Sequence, residues 1–169
     1  MNKIVIFITL LFIKMRCISH KNKKDLSAFK IYVADVGILR QMSKLHPSVF
    51  TEGNRLFSEF KGALTENAVL QAITNQYDVV PRYWSQNNPP YEVDFIIQHE
   101  NFILPIEVKS DENVTSKSLN KYAEMYKDDI KLKIRFSLKN LKLDGDTLNI
   151  PLFMADYCKK IISIALNRI

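Results

Sequence analysis

Residues 91–110 read YEVDFIIQHENFILPIEVKS, and this stretch decides the fold. It contains two apolar runs, at 91–99 and 102–110, that are rich in the β-branched and aromatic residues typical of strands. Glu100 and Asn101 lie between the runs, and a two-residue loop is the commonest hairpin connection. The stretch therefore predicts an antiparallel hairpin in which the last residue of the first strand faces the first residue of the second.

This register can be tested by the side chains that it pairs on one face of the hairpin. Those pairs are Val93 with Val108, Phe95 with Ile106, and Ile97 with Leu104. All six residues are apolar, whereas a slip of one residue would mix the two faces. The pattern predicts that this face packs into the core.

The opposite face of the same hairpin carries charges. The register sets Asp94 opposite Glu107 and Glu92 opposite Lys109. Like charges directly opposed across a ladder destabilise a sheet, so either one carboxyl is protonated or a cation lies between the two. Mg²⁺ prefers such oxygen ligands. Lys109 projects from the same face as Glu107, where it could orient or activate a water or offset charge on a phosphoryl group.

Glu66 is a further candidate, on a helix predicted over residues 56–76. It shares a helical stripe with small and apolar residues, namely Gly62, Ala63, Leu70 and Ile73. Such neighbours favour a helix face turned toward the sheet, and a carboxylate turned inward needs a partner. The alternative interpretation is an ordinary half-exposed acid on the helix surface.

The rest of the chain alternates between strand and helix patterns. Strands are predicted at 29–33, 79–84, 131–138 and 148–154, and helices near 38–45, 116–126 and 156–166. The cluster QNNPP at 86–90 predicts a break between strands. This mixture of a hairpin with crossover helices indicates a layered α/β or α+β domain.

The N-terminal residues 1–24 form a separate segment in this interpretation, followed by one domain over 25–169. Six of the 24 basic residues lie in that segment, which has no acid, so the other 18 basic residues balance the 18 acidic ones. Bulk charge in the domain thus gives no argument for a polyanionic partner.

Residues 4–13 are apolar but too short to span a bilayer and lack a cleavage site, so we expect a cytoplasmic protein and no membrane partner. A targeting or membrane-surface role for this segment is the alternative.

Two groups of residues are candidates for contact with nucleic acid. Arg82 and Trp84 could hold a phosphate and stack on a base, although strand-end aromatics more often pack in the core. Lys117 and Lys121 are one helical turn apart and could contact a phosphate backbone, although a solvated helix face is the ordinary alternative.

Together, Glu66, Asp94 in YEVDFII and Glu107-Val108-Lys109 in LPIEVKS form a pattern that resembles the PD-(D/E)xK, or restriction-endonuclease-like, nuclease superfamily. More closely, the chain from about residue 25 to 157 is similar to a domain of unknown function that usually forms the C-terminal part of bacterial and archaeal AAA-type ATP-binding proteins. The stretches that carry this resemblance are FKIYVADVGIL, FKGALTEN, EVDFII, PIEVKS, SKSLNKY and NIPLFMADY.

The resemblance implies an α/β fold with a restriction-endonuclease-like core, in which helices flank a central mixed sheet. It also implies that Asp94, Glu107 and Glu66 hold Mg²⁺ or Mn²⁺ and that Lys109 assists attack by water on a phosphodiester of DNA or RNA. The chain departs from the AAA-type proteins because it has no GxxxxGK[ST] phosphate loop, so it resembles a truncated or split member. An AAA-type ATPase domain or subunit is an expected partner.

Two functional hypotheses follow. In the first, the chain is a metal-dependent phosphodiesterase that cleaves nucleic acid. In the second, Asp94, Glu107 and Lys109 are a salt-bridged structural cluster in an inactive regulatory or partner-binding module, because a fold does not by itself determine a function.

Overall fold

The computed structural model describes residues 12–18, 24–44, 55–112 and 115–169. The described chain forms one mixed sheet of eight strands with helices on both faces, which confirms the α/β class. The strands are β1 (Phe12–Ile18), β2 (Lys24–Val33), β3 (Arg82–Asn87), β4 (Pro90–His99), β5 (Phe102–Val108), β6 (Lys133–Ser137), β7 (Lys142–Asp144) and β8 (Thr147–Pro151). The helices are α1 (Val36–Met42), α2 (Arg55–Gln76), α3 (Lys117–Met125) and α4 (Cys158–Leu166), with a 3₁₀ turn at Leu152–Tyr157 before α4.

The sheet has the strand order β2-β1-β3-β4-β5-β6-β8-β7. Its centre is the antiparallel trio β3, β4 and β5, and β1 and β6 add to this trio in parallel on either side. A parallel strand pair needs a crossover, and α3 supplies one between β5 and β6.

The β4–β5 hairpin has the predicted register. Phe95 faces Ile106, Ile97 faces Leu104, and His99 faces Phe102 across the ladder. Glu100 has a positive φ of 53°, the left-handed conformation that tight two-residue hairpin loops require. The turn and the apolar pairs therefore specify the same alignment.

A β-bulge in β4 overturns the predicted face of Val93. Two residues of β4, Asp94 and Phe95, lie opposite the single residue Tyr83 of β3, because the register shifts by one between these strands. The extra residue reverses the alternation of side chains. Val93 consequently packs against α3 with Ile96, instead of sharing a face with Phe95.

Each face of the sheet has its own apolar cluster. Helices α2 and α4 cover one face, where Leu70, Ile73 and Ile162 pack against strand residues such as Phe95 and Ile106. Helix α3 covers the other face and packs against β3 and β4 through the residues Leu119, Tyr122, Trp84, Val93 and Ile96. Burying both faces explains why the central strands read as nearly continuous apolar runs.

Several element limits differ from the prediction. The strand predicted at 79–84 begins only at Arg82 and continues to Asn87, so the turn is a tight one at Asn88 and Pro89. Pro90 is the first residue of β4, a position where its missing N–H is tolerated. The strands β1 and β7 were not predicted.

Residues 12–18, assigned from the sequence to the separate N-terminal segment, are a strand of the sheet. β1 pairs with β2 on one side and with β3 on the other, and Met15 and Cys17 are buried in the core. Residues 4–11 of the predicted apolar run, and Leu45 of the first predicted helix, lie outside the described residues. Among the described helices, none has both the length and the apolar composition that crossing a bilayer requires.

Replacing Met15 with alanine tests whether β1 is part of the cooperative fold. The Met15 side chain is 0 % exposed, so we expect Met15→Ala to lower the free energy of unfolding by about 2–5 kcal/mol, as for other buried large-to-small changes. Urea denaturation would measure it. Arg16→Ala, at the exposed neighbouring position, is the control and should change stability by less than about 0.5 kcal/mol. Equal stabilities of the two variants would place β1 outside the cooperative unit.

Candidate functional site

The candidate site lies where β4 and β5 separate. The last paired residues of their ladder at this end are Phe95 and Ile106. Beyond them, the Val108 amide donates a hydrogen bond of 2.8 Å to Oδ2 of Asp94, so a side chain replaces the next ladder bond. Asp94 and Glu107 are thus neighbours at a fork in the sheet, and not members of the ladder as the sequence predicted.

Asp94 is placed among charges from three elements. Its charged neighbours are Glu66 on α2, Lys30 on β2 and Glu107 on β5. Burial and then the negative charge of Glu66 raise the pKa of Asp94 to about 7, against the opposing effects of the Val108 amide and Lys30. The protonated form of Asp94 is therefore favoured more than in a free aspartate, in the direction of one of the two outcomes expected for crowded carboxylates.

Glu107 is the most buried carboxylate of the site, with 5 % of its surface exposed. Its Oε1 accepts an ion-pair contact of 2.7 Å from Nζ of Lys109. Its Oε2 is buried and has no hydrogen-bond partner among the described residues. A buried acceptor without a partner is costly in a protein interior, so this oxygen would gain from a hydrogen-bond donor or a cation.

Glu66 faces the sheet, as its helical stripe predicted. The Tyr32 hydroxyl on β2 donates a hydrogen bond of 3.1 Å to Oε2 of Glu66. Burial raises the pKa of Glu66, while Lys30 and the Tyr32 hydrogen bond oppose this shift. Tyr32 is itself buried and packs against Phe95, with 5.8 Å between the ring centroids. The tyrosine therefore links Glu66 to the bulge that carries Asp94.

The predicted pair of Glu92 with Lys109 does not form. Glu92 is ion-paired with Lys30 of β2, and Lys109 is ion-paired with Glu107. The ladder stops before either residue, so nothing holds Glu92 and Lys109 in register.

Lys30 and Tyr32 are site residues that the sequence reasoning missed. Their alternation in FKIYV shows that they share one face of a strand. The position of that strand, however, depends on β1, which was not recognised as part of the sheet. Lys30 is further held over the Tyr83 ring, with Nζ 5.2 Å from its centroid.

The donor set suits a hard divalent cation. Glu66, Asp94 and Glu107 offer carboxylate oxygens, the ligands that Mg²⁺ takes in proteins, and Oε2 of Glu107 is a buried acceptor whose needs a cation would satisfy. In the described part of the chain, no three His, Cys, Asp or Glu side chains are grouped so that they could together hold a metal ion. Mg²⁺ commonly takes only one or two carboxylates and completes its shell with water and substrate oxygens.

Comparison with protein families assigns the chain to one family. Residues 61–153, slightly more than half of its 169 residues, match the family model described as Domain of unknown function (DUF4143). The chain belongs to this family. The DUF4143 match includes Glu66, Asp94, Glu107 and Lys109, whereas Lys30 and Tyr32 precede it. No curated protein and no solved structure matches the chain.

The remaining candidates of this DUF4143 chain are the residues that the sequence offered for contact with nucleic acid. Trp84 is 0 % exposed and packs edge-on against Tyr122 of α3, with 5.3 Å between centroids, so its ring has no free face for a base. Arg82 lies half-buried at the start of β3. Lys117 is exposed on α3, and Lys121 on the same helix is ion-paired with Glu124 at 2.9 Å.

The raised pKa of Asp94 makes the stability of the metal-free protein depend on pH. Between about pH 4 and 7 the folded protein holds a proton that the unfolded chain has released. This contribution to stability is therefore complete at low pH and is lost as the pH rises through 7. Asp94→Asn removes the titration and retains an oxygen that can accept the Val108 hydrogen bond.

With a chelator present to remove metal ions, we expect the free energy of unfolding of the wild type to fall between pH 5 and pH 8 relative to that of Asp94→Asn. The fall should be at most about 1.4 kcal/mol per pH unit. Thermal unfolding at several pH values would measure this difference. Asp144→Asn, at a side chain that is 76 % exposed, is the matched control and should follow the wild type. Parallel curves for wild type and Asp94→Asn would contradict the inferred burial of charge at Asp94.

Proposed function

We propose that this chain is a divalent-metal-dependent phosphodiesterase that acts on nucleic acid, with the metal held by Asp94, Glu107 and Glu66. The observation that carries this proposal is the buried Oε2 of Glu107, which has no partner among the described residues and lies near a carboxyl group with a raised pKa. A structural ion-pair cluster would satisfy both oxygens of its most buried acid, whereas a metal site leaves one available.

The chain's own residues prepare the site for hydrolysis. The Val108 amide fixes Asp94, and the Tyr32 hydroxyl fixes Glu66, so two carboxylates are oriented by neighbours before any ligand arrives. Hydrogen bonds from neighbouring groups hold metal-binding oxygens in position and tune their basicity. A bound Mg²⁺ would supply positive charge to polarise a phosphoryl oxygen and make water more acidic.

Lys109 has a separate role in this proposal. Its side chain is 30 % exposed while that of Glu107 is 6 % exposed, so the ammonium lies between the buried acid and the solvent from which a substrate arrives. There it offsets the negative charge that develops on the phosphoryl group. In the reaction, a bond forms between a water oxygen and phosphorus, and a phosphorus–oxygen ester bond breaks, which leaves a phosphate monoester and a hydroxyl.

The resemblance to the PD-(D/E)xK nucleases supports nucleic acid as the substrate class. Three elements hold the residues that carry this resemblance in the sequence. The helix Glu is on α2, and the strand Asp and the ExK glutamate are on β4 and β5, which are neighbours in the mixed sheet. The exposed Lys117 on α3 could contact a phosphate backbone outside the site.

The second candidate is an inactive regulatory or partner-binding module of an AAA-type ATPase. The observation that favours it is the pairing of acids with lysines, Glu107 with Lys109 and Glu92 with Lys30, since such pairs can form a purely structural cluster. In that case no metal would bind with useful affinity, and cleavage would be absent.

Replacing Lys109 tests the proposed chemistry. With Mg²⁺ or Mn²⁺, we expect the purified chain to cleave labelled DNA or RNA, and Lys109→Ala to be about 10²–10³-fold slower because a preorganised charge is lost. Lys142→Ala, which removes an exposed ion-paired lysine from β7 at the far edge of the sheet, should cleave at the wild-type rate.

The same assay separates activity from contamination and from the second candidate. Equal cleavage by wild type and Lys109→Ala would assign the activity to a contaminant. No cleavage of single-stranded or double-stranded DNA or RNA by the wild type, together with no heat of Mn²⁺ binding in calorimetry, would favour the partner-binding module.

A further inference from the structure

Lys30 stands out because its ammonium interacts with three carboxylates that belong to two other elements, β4 and α2. It is ion-paired with Glu92 on β4 and also interacts electrostatically with Glu66 on α2 and Asp94 on β4. Its side chain is only 25 % exposed, and its ammonium lies over the Tyr83 ring. A lysine held in this way has already lost much of its rotamer freedom, so binding a further anion costs little additional ordering.

A pocket of about 310 Å³ opens beside this ammonium, between β2, α1 and α2. Its walls include the apolar residues Ile31, Val33 and Leu39, and its charged lining residues are Lys30 and Glu66. Asn67 also lines it, but its amide is already used by the Val33 backbone, with hydrogen bonds of 2.9 and 2.8 Å. The pocket thus places one cationic group across from one proposed metal ligand.

We infer that Lys30 is a substrate-binding residue of the proposed site, which holds a phosphate of the nucleic acid and, before substrate arrives, opposes the divalent cation. This inference rests on the proposed function. An anion bound to a cation at Glu66 would lie next to the pocket, where the Lys30 ammonium can reach it. The same ammonium repels a second positive charge that enters between Glu66 and Asp94.

The inference predicts two effects of opposite sign from one substitution. Lys30→Met retains the stem of the side chain and removes its charge. In a buffer basic enough to keep Asp94 and Glu66 ionised without Lys30, we expect Mn²⁺ to bind about 3–10-fold more tightly, because a competing positive charge is gone. Single-stranded DNA should bind more weakly, and the slope of log K against log salt concentration should fall by about 0.7, the value for one phosphate contact.

The experiment uses the full chain, two variants at this position, Lys30→Met and Lys30→Arg, and one control variant. Mn²⁺ affinity is measured by calorimetry in the otherwise wild-type chain. DNA affinity is measured by fluorescence anisotropy at several salt concentrations in a Lys109→Ala background, so that the strand stays intact. Lys142→Met is the matched control, because it removes an ion-paired lysine at the opposite edge of the sheet. Lys30→Arg retains the charge and should restore the salt slope.

The outcomes distinguish this inference from the proposed function. Tighter Mn²⁺ binding with a smaller salt slope in Lys30→Met, and neither change in Lys142→Met, supports the inference. A second outcome overturns the role of Lys30 and leaves the proposed function standing. In that outcome the wild type binds Mn²⁺, and Lys30→Met has the same affinities for Mn²⁺ and for DNA as Lys142→Met. Absence of Mn²⁺ binding by the wild type overturns the proposed function and this inference together. Glu92 is 46 % exposed and stays solvated without Lys30, so the variant should fold.

Discussion

The hydrogen bond from the Val108 amide to the Asp94 carboxylate is the interaction on which the candidate site depends. It exists because the bulge in β4 adds one residue opposite Tyr83 and ends the β4–β5 ladder at Phe95 and Ile106. The strands then diverge, and a carboxylate takes the place of a ladder carbonyl. Bulges commonly re-aim side chains next to functional sites, and this one turns a strand residue toward the helix that carries Glu66.

The electrostatics of the site follow from that geometry. Asp94 on β4 interacts electrostatically with Glu66 on α2 and Glu107 on β5. Lys109 is ion-paired with Glu107, and Lys30 is ion-paired with Glu92 and also interacts with Asp94. Burial first, and then repulsion between the acids, raises the pKa of Asp94 and of Glu66, and one buried oxygen of Glu107 has no hydrogen-bond partner among the described residues. A fold selected for stability alone would replace such a cluster with apolar residues, which are often equally or more stabilising. In the proposed function, a bound cation would account for this cluster.

The sequence predicted the parts of this arrangement that are local. The hairpin register followed from a two-residue loop and opposed apolar pairs, and the structure confirmed it from Phe95 and Ile106 to the loop. The helix that carries Glu66 and its inward face followed from helical spacing. Val93 was assigned to the wrong face because one extra residue in a strand leaves no mark in an apolar pattern. Lys30 and Tyr32 were missed because their strand reaches the site only through β1, whose residues 12–18 resemble the end of an apolar N-terminal segment.

The most direct test of the central claim is a crystal structure of the chain grown with Mn²⁺, with the ion located by its anomalous scattering. We expect one strong anomalous peak at the fork between β4 and β5, within about 2.0–2.6 Å of Oε2 of Glu107 and of an oxygen of Asp94, as oxygen ligands of such ions lie. A protein with this fold and no peak at the fork, in crystals saturated with Mn²⁺, would contradict a metal site there.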